Sequence, residues 1–253
     1  KIFPLNPAPM LNDHLIEEMT NIVALAGAEQ IQECINTGAE IILAGRTTDT
    51  AIISALPLMK GANPGSSWHG AKVVECGALC STNPTSGVVM VEFDKTGFTV
   101  EPMSKNAFCT SETVAAHMLY ENADPYILHE PGGYMDVTYS NYYNIDNKKV
   151  RVEGAKWHPS KQYSVKLEGA KIAGYQSSLL VLLRDKKYVE NVKKWTDKLS
   201  KFLKKEINDR MDIDTSEYSL EFRHIGLNST LGELEKNIRS PVEVGVLCLI
   251  TSK

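Results

Sequence analysis

Apolar residues recur at helical spacing through much of the first half of the chain, with glycines and polar residues between the segments. A continuous apolar run, Ile41 to Ala44, differs from them and predicts a buried strand over residues 40–44 that ends at Gly45. The other segments predict helices over residues 13–26, 28–36, 47–59 and 110–122, and one from Ser66 or Ser67 through WHGAKVVECGALC.

Alternating apolar and polar positions begin later in the chain. Two such runs flank Asp94–Lys95–Thr96–Gly97 and predict a hairpin, while ADPYILHEPGGY has the composition of a hinge. Short strands, a long amphipathic helix over residues 187–208 and the late strands YSLEFRHIGL and VEVGVLCLI follow. We therefore predict an α/β lobe over residues 1–124, with a ligand cleft and a parallel or mixed sheet flanked by helices. An α+β, strand-rich lobe is predicted over residues 125–253.

Composition excludes several classes of protein. The sequence has 31 Asp and Glu residues and 27 Lys and Arg residues, which gives a formal net charge of −4. This balance predicts no broad basic surface for nucleic acid. Apolar runs are too short to cross a bilayer, KIFPLNPAPM lacks the features of a signal peptide, and five scattered cysteines indicate reduced thiols. These features predict a cytoplasmic protein. Because the chain begins with lysine in a proline-rich extended segment, we expect a fragment of a longer protein.

The first candidate site is the predicted junction between strand and helix, EIILAGRTTDTAII. Free backbone N–H groups at a helix N-terminus stabilise an anion, and Arg46 adds a forked cation suited to a carboxylate or phosphate. Asp49 could orient that arginine or act as a base. The alternative is structural, because Thr48 would cap the helix, Asp49 would complement its dipole, and Arg46 would pair with Asp49 at the surface. As substrate-binding residues we name Gly45, Arg46, Thr47 and Thr48, with Asp49 as catalytic.

The second candidate site is HGAKVVECGALCSTNPTSG. Glu75 stands in an otherwise apolar turn, so it must face water, find a partner or take a raised pKa useful for acid–base catalysis. Cys76 and the polar loop residues Ser81, Thr82 and Asn83 are candidate substrate contacts, although the loop equally suits an ordinary turn. His69, Cys76 and Cys80 fall on one helical stripe but lack the paired spacing of a zinc site, so no metal is predicted.

A third group of polar residues lies in GAKWHPSKQYSVKLEGA. Cations and aromatic rings on two adjoining strands would form a platform for a carboxylate or phosphate, or simply the solvated face of a sheet. Its members are Lys156, His158, Lys161, Tyr163 and Lys166.

Motifs for dinucleotides, P-loop nucleotides, HExxH zinc and the GxSxG nucleophile do not occur in the sequence. We therefore predict no cofactor.

Four segments in fixed order resemble the AtuA-like family, named for acyclic terpene utilisation, and the resemblance runs from about Asn21 to Ser177. It implies a two-part α/β protein associated with the breakdown of branched acids and acyl-CoA. The most family-like positions are Gly45, Arg46 and Asp49, and Glu75, Cys76 and Gly77. The sequence departs from the family in two respects: it does not include the glycine-rich strand and turn with which such proteins usually begin, and CSTNP stands where many relatives have a glycine-containing loop. The segments are NIVALAGAEQIQECINTGAEIILAGRTTDTAI, WHGAKVVECGALCSTNP, VAAHMLYENADPYILHEPGGYMD and VRVEGAKWHPSKQYSVKLEGAKIAGYQS.

Two functions fit these features. The first is an enzyme, or a subunit of one, that acts on a small carboxylate or acyl-CoA by proton transfer, as a hydratase, lyase or isomerase, with Asp49 and Glu75 as acid and base. The second is a non-catalytic binding or assembly subunit that works with a partner chain, because no complete catalytic triad or metal set is present. In both cases we expect a homo-oligomer or a partner subunit.

Overall fold

The computed structural model describes residues 12–84, 87–236 and 239–252. The predicted extended segment at residues 1–11 and Thr85 and Ser86 of the polar loop lie outside these ranges. The chain forms two compact units, unit 1 over Lys1–Lys171 and unit 2 over Ile172–Lys253. The strands between residue 124 and Lys171 therefore belong to unit 1. A hinge composition marks a loop, whereas a unit is defined by which elements pack together.

Most of the described helices of unit 1 begin after a residue whose side chain caps them. Thr48 accepts a hydrogen bond from the Ala51 N–H at 3.2 Å, as predicted for a cap. The next helix begins earlier than predicted, because Asn63 rather than a serine is its cap and accepts from the Ser66 N–H at 3.0 Å. The helices are α1 (Asp13–Glu17), α2 (Ala28–Asn36), α3 (Asp49–Met59), α4 (Pro64–Val74) and α5 (Ser111–Ala116), with 3-10 turns at Gly77–Cys80 and His117–Leu119.

The strands of unit 1 form three antiparallel sheets, ordered β1-β9, β2-β3-β7-β6 and β4-β5-β8. The predicted turn at Asp94 is confirmed, since the Asp94 carboxylate accepts from the Thr96 N–H at 2.8 Å and the Gly97 N–H at 2.9 Å. The strands are β1 (Asn21–Ala24), β2 (Val89–Phe93), β3 (Gly97–Pro102), β4 (Ile127–Glu130), β5 (Gly133–Asp136), β6 (Asn141–Asn144), β7 (Val150–Glu153), β8 (Lys156–Pro159) and β9 (Leu167–Ala170).

The predicted strand at residues 40–44 is wrong. This segment has no regular secondary structure, and the side chains of Ile41 and Leu43 are 80% and 94% exposed. Among the described residues the only parallel bridge is the isolated pair Ala26 and Thr47, so the predicted parallel or mixed sheet is not confirmed. The predicted helix over residues 13–26 also ends early, because residues 21–24 pair with β9 instead. Pairing between strands distant in sequence decides both cases.

Helix α4 lies at the centre of unit 1, and its residues from Gly65 to Val74 are all buried. The Trp68 ring stacks on Trp157 with 4.9 Å between ring centroids. A Cβ at Gly65 would lie 2.3 Å from the Ala155 carbonyl oxygen, so only glycine permits this approach of helix to strand. Because α4 is surrounded by protein, its polar side chains must find partners inside the unit.

Unit 2 contains a three-stranded antiparallel sheet, ordered β10-β12-β11. Its described α-helices come between β10 and β11 along the chain. Its core contains Val189, Val192, Val244 and Val246. The predicted late strands are confirmed. The predicted long helix begins five residues later than expected, at Val192, and ends three residues later, at Met211. The elements are β10 (Tyr175–Leu183), α6 (Lys186–Glu190), α7 (Val192–Met211), β11 (Tyr218–Ile225) and β12 (Val244–Ser252), with a 3-10 turn at Gly232–Leu234.

Candidate functional site

Arg46 lies in an ion pair with strand β9. Its Nε donates to Glu168 Oε2 at 3.0 Å and its Nη2 donates to Oε1 at 2.8 Å, a two-pronged contact between half-exposed side chains. The guanidinium charge is therefore balanced by a carboxylate of the chain itself. The neighbouring Gly45 is exposed and ends no strand. This geometry favours a structural role for Arg46 over the anion clamp, although its partner is Glu168 and not Asp49.

The threonines that follow Arg46 are buried at the start of α3. Thr47 and Thr48 are 5% and 4% exposed, and the Thr48 N–H donates to the Ala26 carbonyl at 3.1 Å. Thr48 thus fixes the start of α3 with both its backbone and its side chain. Asp49 is the first residue of the helix and is exposed, at the end where the dipole favours a negative charge.

A buried ion pair joins the end of α4 to the turn that follows it. Lys72 Nζ contacts Glu75 Oε1, and the two side chains are only 5% and 6% exposed. Burial raises the pKa of the Glu75 carboxyl; the Lys72 ammonium opposes this shift, and the charges of Asp49 and Glu130 reinforce it. Glu75 is therefore a carboxyl that holds its proton to higher pH than an exposed glutamate does.

A second buried carboxylate, Glu130 at the end of β4, belongs to the same electrostatic neighbourhood. Its side chain is 2% exposed, and Oε1 accepts from the Thr50 hydroxyl at 2.7 Å and from Lys166 Nζ at 3.4 Å. Glu130 Oε2 is buried and has no hydrogen-bond partner within the described residues. A buried acceptor without a partner carries a desolvation cost that a bound donor would relieve.

His117 and Tyr120 border the Lys72 ammonium. The two rings stack with 5.4 Å between centroids, and Lys72 Nζ lies 5.7 Å from the Tyr120 centroid. Burial lowers the pKa of His117, the Lys72 charge lowers it further, and its Nε2 has no partner among the described residues. Cys76 lies beside the Tyr120 hydroxyl, and burial raises the pKa of its thiol. His117 is thus a neutral imidazole at neutral pH and Cys76 a protonated thiol.

The loop residues predicted as substrate contacts are engaged within the protein. The Ser81 hydroxyl donates to the Ala78 carbonyl at 2.7 Å, and the Asn83 amide donates to the Asn106 carbonyl at 3.1 Å. The Thr82 N–H donates to the Phe108 carbonyl at 2.9 Å. These bonds fasten the loop to the segment before α5, as the alternative of an ordinary turn implies.

His69, which shares a helical stripe with Cys76 and Cys80, lies in the core. Its Nε2 is 3.1 Å from the Tyr142 hydroxyl and its ring meets Phe98 edge to face. Nowhere in the described ranges do three or more His, Cys, Asp or Glu side chains lie together in a way that could hold a metal ion.

The structure brings together Asp49 and Glu75 from the predicted set and adds residues that sequence reasoning missed. Lys72 stands three residues before Glu75, a spacing that places both on one helix face and was available in the sequence. The sequence predicts Lys166 only as part of a platform on two adjoining strands. For Thr50, His117 and Glu130 the sequence carried no signal, because their relation to Glu75 arises from packing. We call these side chains the Glu75 cluster; its members are Asp49, Thr50, Lys72, Glu75, His117, Glu130 and Lys166.

Comparison with known proteins identifies the chain at the level of a family. No helix in the described part of the chain has the length and apolar character needed to span a membrane. No curated protein and no solved structure matches the chain significantly. The model of the family described as acyclic terpene utilisation family protein AtuA matches residues 8–248, nearly the whole of the 253 residues. The chain therefore belongs to the AtuA family, whose description implies a role in acyclic terpene utilisation.

Proposed function

We propose that this protein is an enzyme, or the acid–base subunit of one, that transfers a proton on a small branched carboxylic acid or its CoA thioester. The observation that supports this most is the buried Lys72–Glu75 pair, in which burial raises the pKa of the carboxyl. A general base works best when its pKa approaches the working pH. Burial commonly raises the pKa of a carboxyl towards that range.

In this proposal Glu75 carries the proton. As a carboxylate it accepts a proton from the carbon next to the substrate carbonyl, and as a carboxylic acid it returns a proton to the product. Lys72 stabilises the charged form of Glu75. Burial, together with the charges of Asp49 and Glu130, raises the pKa of Glu75. Hydratases, lyases and isomerases share this step, so the cluster supports the class of reaction and leaves the substrate to experiment.

Exchange of substrate hydrogen for deuterium tests this directly. Candidate acyl-CoA thioesters and branched acids incubated with the protein in deuterium oxide are expected to exchange the hydrogen next to the carbonyl, measured by mass spectrometry. Glu75→Gln keeps the size of the side chain but cannot take up a proton, so the exchange rate is expected to fall about 100-fold. Glu75→Asp is expected to retain part of the rate.

The matched control is Glu112→Gln, which removes a carboxyl from the exposed first turn of α5 and is expected to leave exchange unchanged. Thermal unfolding of both variants shows that each is folded. Exchange by Glu75→Gln at the rate of the unaltered protein would contradict the role of Glu75.

A second candidate function, a subunit that binds a partner chain, is favoured by the exposed segment at residues 40–44. Ile41 and Leu43 expose 80% and 94% of their surface although both are large and apolar. Clustered apolar side chains on a surface mark sites of association. We expect Leu43→Gln to lower the molar mass measured by light scattering at a given concentration. A single-chain mass for both proteins, with no partner captured, would count against this candidate.

A further inference from the structure

Unit 1 contains an apolar cleft between the C-terminal half of α3 and strand β2. Its volume is about 810 Å³, and Val74 of α4 also lines it. Cavities that bind small molecules are typically 300–1,000 Å³ and mainly apolar, so this cleft has the size and lining of a ligand site. Its two walls are Ile53, Leu56 and Pro57 from the helix, and Val89, Val91 and Phe93 from the strand.

The cleft is open because nothing within the described residues covers these walls. Along β2 the side chains alternate, and Val89, Val91 and Phe93 are half-buried while Met90 and Glu92 point to the other face. Leu56 and Val88 line the cleft and are 51% and 60% exposed. Exposed apolar surface of this kind gains free energy when an apolar ligand removes it from water.

One end of the cleft carries positive charge. Lys60 lies at the end of α3 and Lys95 lies in the β2–β3 turn, and neither forms an ion pair with any residue in the described ranges. The Asn63 N–H donates to the Asp94 carbonyl at 3.1 Å and holds that turn against the loop after α3. Both lysines therefore belong to the same end of the cleft.

Asp94, the acidic residue at this end of the cleft, does not neutralise the two lysines. Both carboxylate oxygens of Asp94 accept from the Arg151 guanidinium, at 2.7 Å and 2.9 Å, and Oδ1 also accepts from the turn. Hydrogen bonds from Arg151 and the turn hold the pKa of Asp94 well below its usual range, so it stays ionised and paired. An anion at this end would accordingly meet two available cations.

We propose that this cleft binds an aliphatic carboxylate, with the hydrocarbon chain between α3 and β2 and the carboxylate between Lys60 and Lys95. Ile53 and Lys60 are seven residues apart on one helix, or roughly 10 Å at 1.5 Å per residue, which matches an extended chain of about eight to ten carbons. This binding does not depend on proton transfer at Glu75 and goes beyond the proposed function.

The test is titration calorimetry with decanoate below its micelle concentration. The unaltered protein is expected to bind decanoate, and the double variant Lys60→Gln, Lys95→Gln is expected to bind it about tenfold more weakly, as the loss of a charge-assisted contact predicts. Decanol, which has the chain but no charge, is expected to bind as weakly to the unaltered protein as decanoate binds to the double variant.

Two exposed apolar residues of α3 provide a matched pair for the chain contact. Leu56 lines the cleft and Ile52 does not, yet they are 51% and 52% exposed, so aspartate at either position is tolerated by the fold to a similar degree. Leu56→Asp places a negative charge beside the chain and is expected to abolish binding, whereas Ile52→Asp is expected to bind decanoate normally.

Equal binding by Leu56→Asp and Ile52→Asp, or no binding by the unaltered protein, would overturn the proposal. So would binding to anionic lipid vesicles without binding to monomeric decanoate, because that result assigns the surface to a membrane. Glu75→Gln is expected to bind decanoate like the unaltered protein, which separates failure at the cleft from failure of the acid–base proposal.

Discussion

Replacing Lys72 by methionine is expected to lower the free energy of unfolding by about 3–5 kcal/mol at neutral pH, because the buried Glu75 carboxylate loses the cation that contacts it. Glu75 would be 6% exposed with no counter-charge, and its pKa would rise further. The loss should therefore shrink as the pH falls and Glu75 takes up a proton. Urea unfolding between pH 5 and 8 measures both effects.

The double variant Lys72→Met, Glu75→Gln is the decisive control. It removes both charges and keeps the volumes, so it is expected to recover most of the lost stability. Lys171→Met breaks the more exposed pair with Glu18 and is expected to change stability little, because water screens that contact. If Lys72→Met were as stable as Lys171→Met, the buried pair would not carry the energy that its burial implies.

Acid is expected to destabilise unit 1 through His69. Burial lowers the pKa of His69 from 6.5 to about 3, so the folded protein binds one proton fewer than the unfolded chain throughout that window. The contribution of neutral His69 to stability is therefore fully present above pH 6.5 and is lost as the pH falls towards 3. At 1.4 kcal/mol per pH unit the loss is about 2 kcal/mol by pH 5 and on the order of 4 kcal/mol by pH 3.

His69→Gln separates this effect from that of other acid-sensitive groups. Glutamine does not titrate and keeps a group able to bond the Tyr142 hydroxyl, which lies 3.1 Å from His69 Nε2. The variant is expected to be less stable at pH 7 but to lose less stability on acidification. The stacked pair of Trp68 and Trp157 reports on unit 1 by near-ultraviolet circular dichroism. A stability difference from the unaltered protein that stays constant with pH would contradict the prediction.

The candidate site illustrates how a sequence pattern can locate a region and misassign its parts. Helix α3, which begins at Asp49, packs against α4, which ends just before Glu75, and the charge of Asp49 adds to the burial that raises the pKa of Glu75. Arg46, chosen for its charge, instead pairs with Glu168, a residue 122 positions away. Glu130, which no local pattern marks, bonds Thr50 from 80 positions away. Pairing between buried polar groups depends on which elements pack together, and spacing along the chain does not encode it.

Local chemistry explains the parts of the fold that were predicted well. Thr48 caps α3 because its hydroxyl reaches an amide three residues on, and Asp94 forms its turn by the same short-range geometry. The strands β11 and β12 follow from their apolar patterns. The strand expected at residues 40–44 failed because an apolar run becomes a strand only when another strand pairs with it, and none of the described residues does.

The sequence by itself determined the family, the α and β content, the caps of α3 and α5 and the presence of Glu75 in an apolar turn, because each depends on residues close together in the chain. Tertiary structure alone decided that the sheets are antiparallel, that Arg46 is neutralised by Glu168, and that Lys72 and Glu130 share the surroundings of Glu75. It also left the walls beside Leu56 open. These outcomes rest on burial and on long-range pairing, which set the electrostatic energy of each charge and cannot be read from its neighbours in sequence.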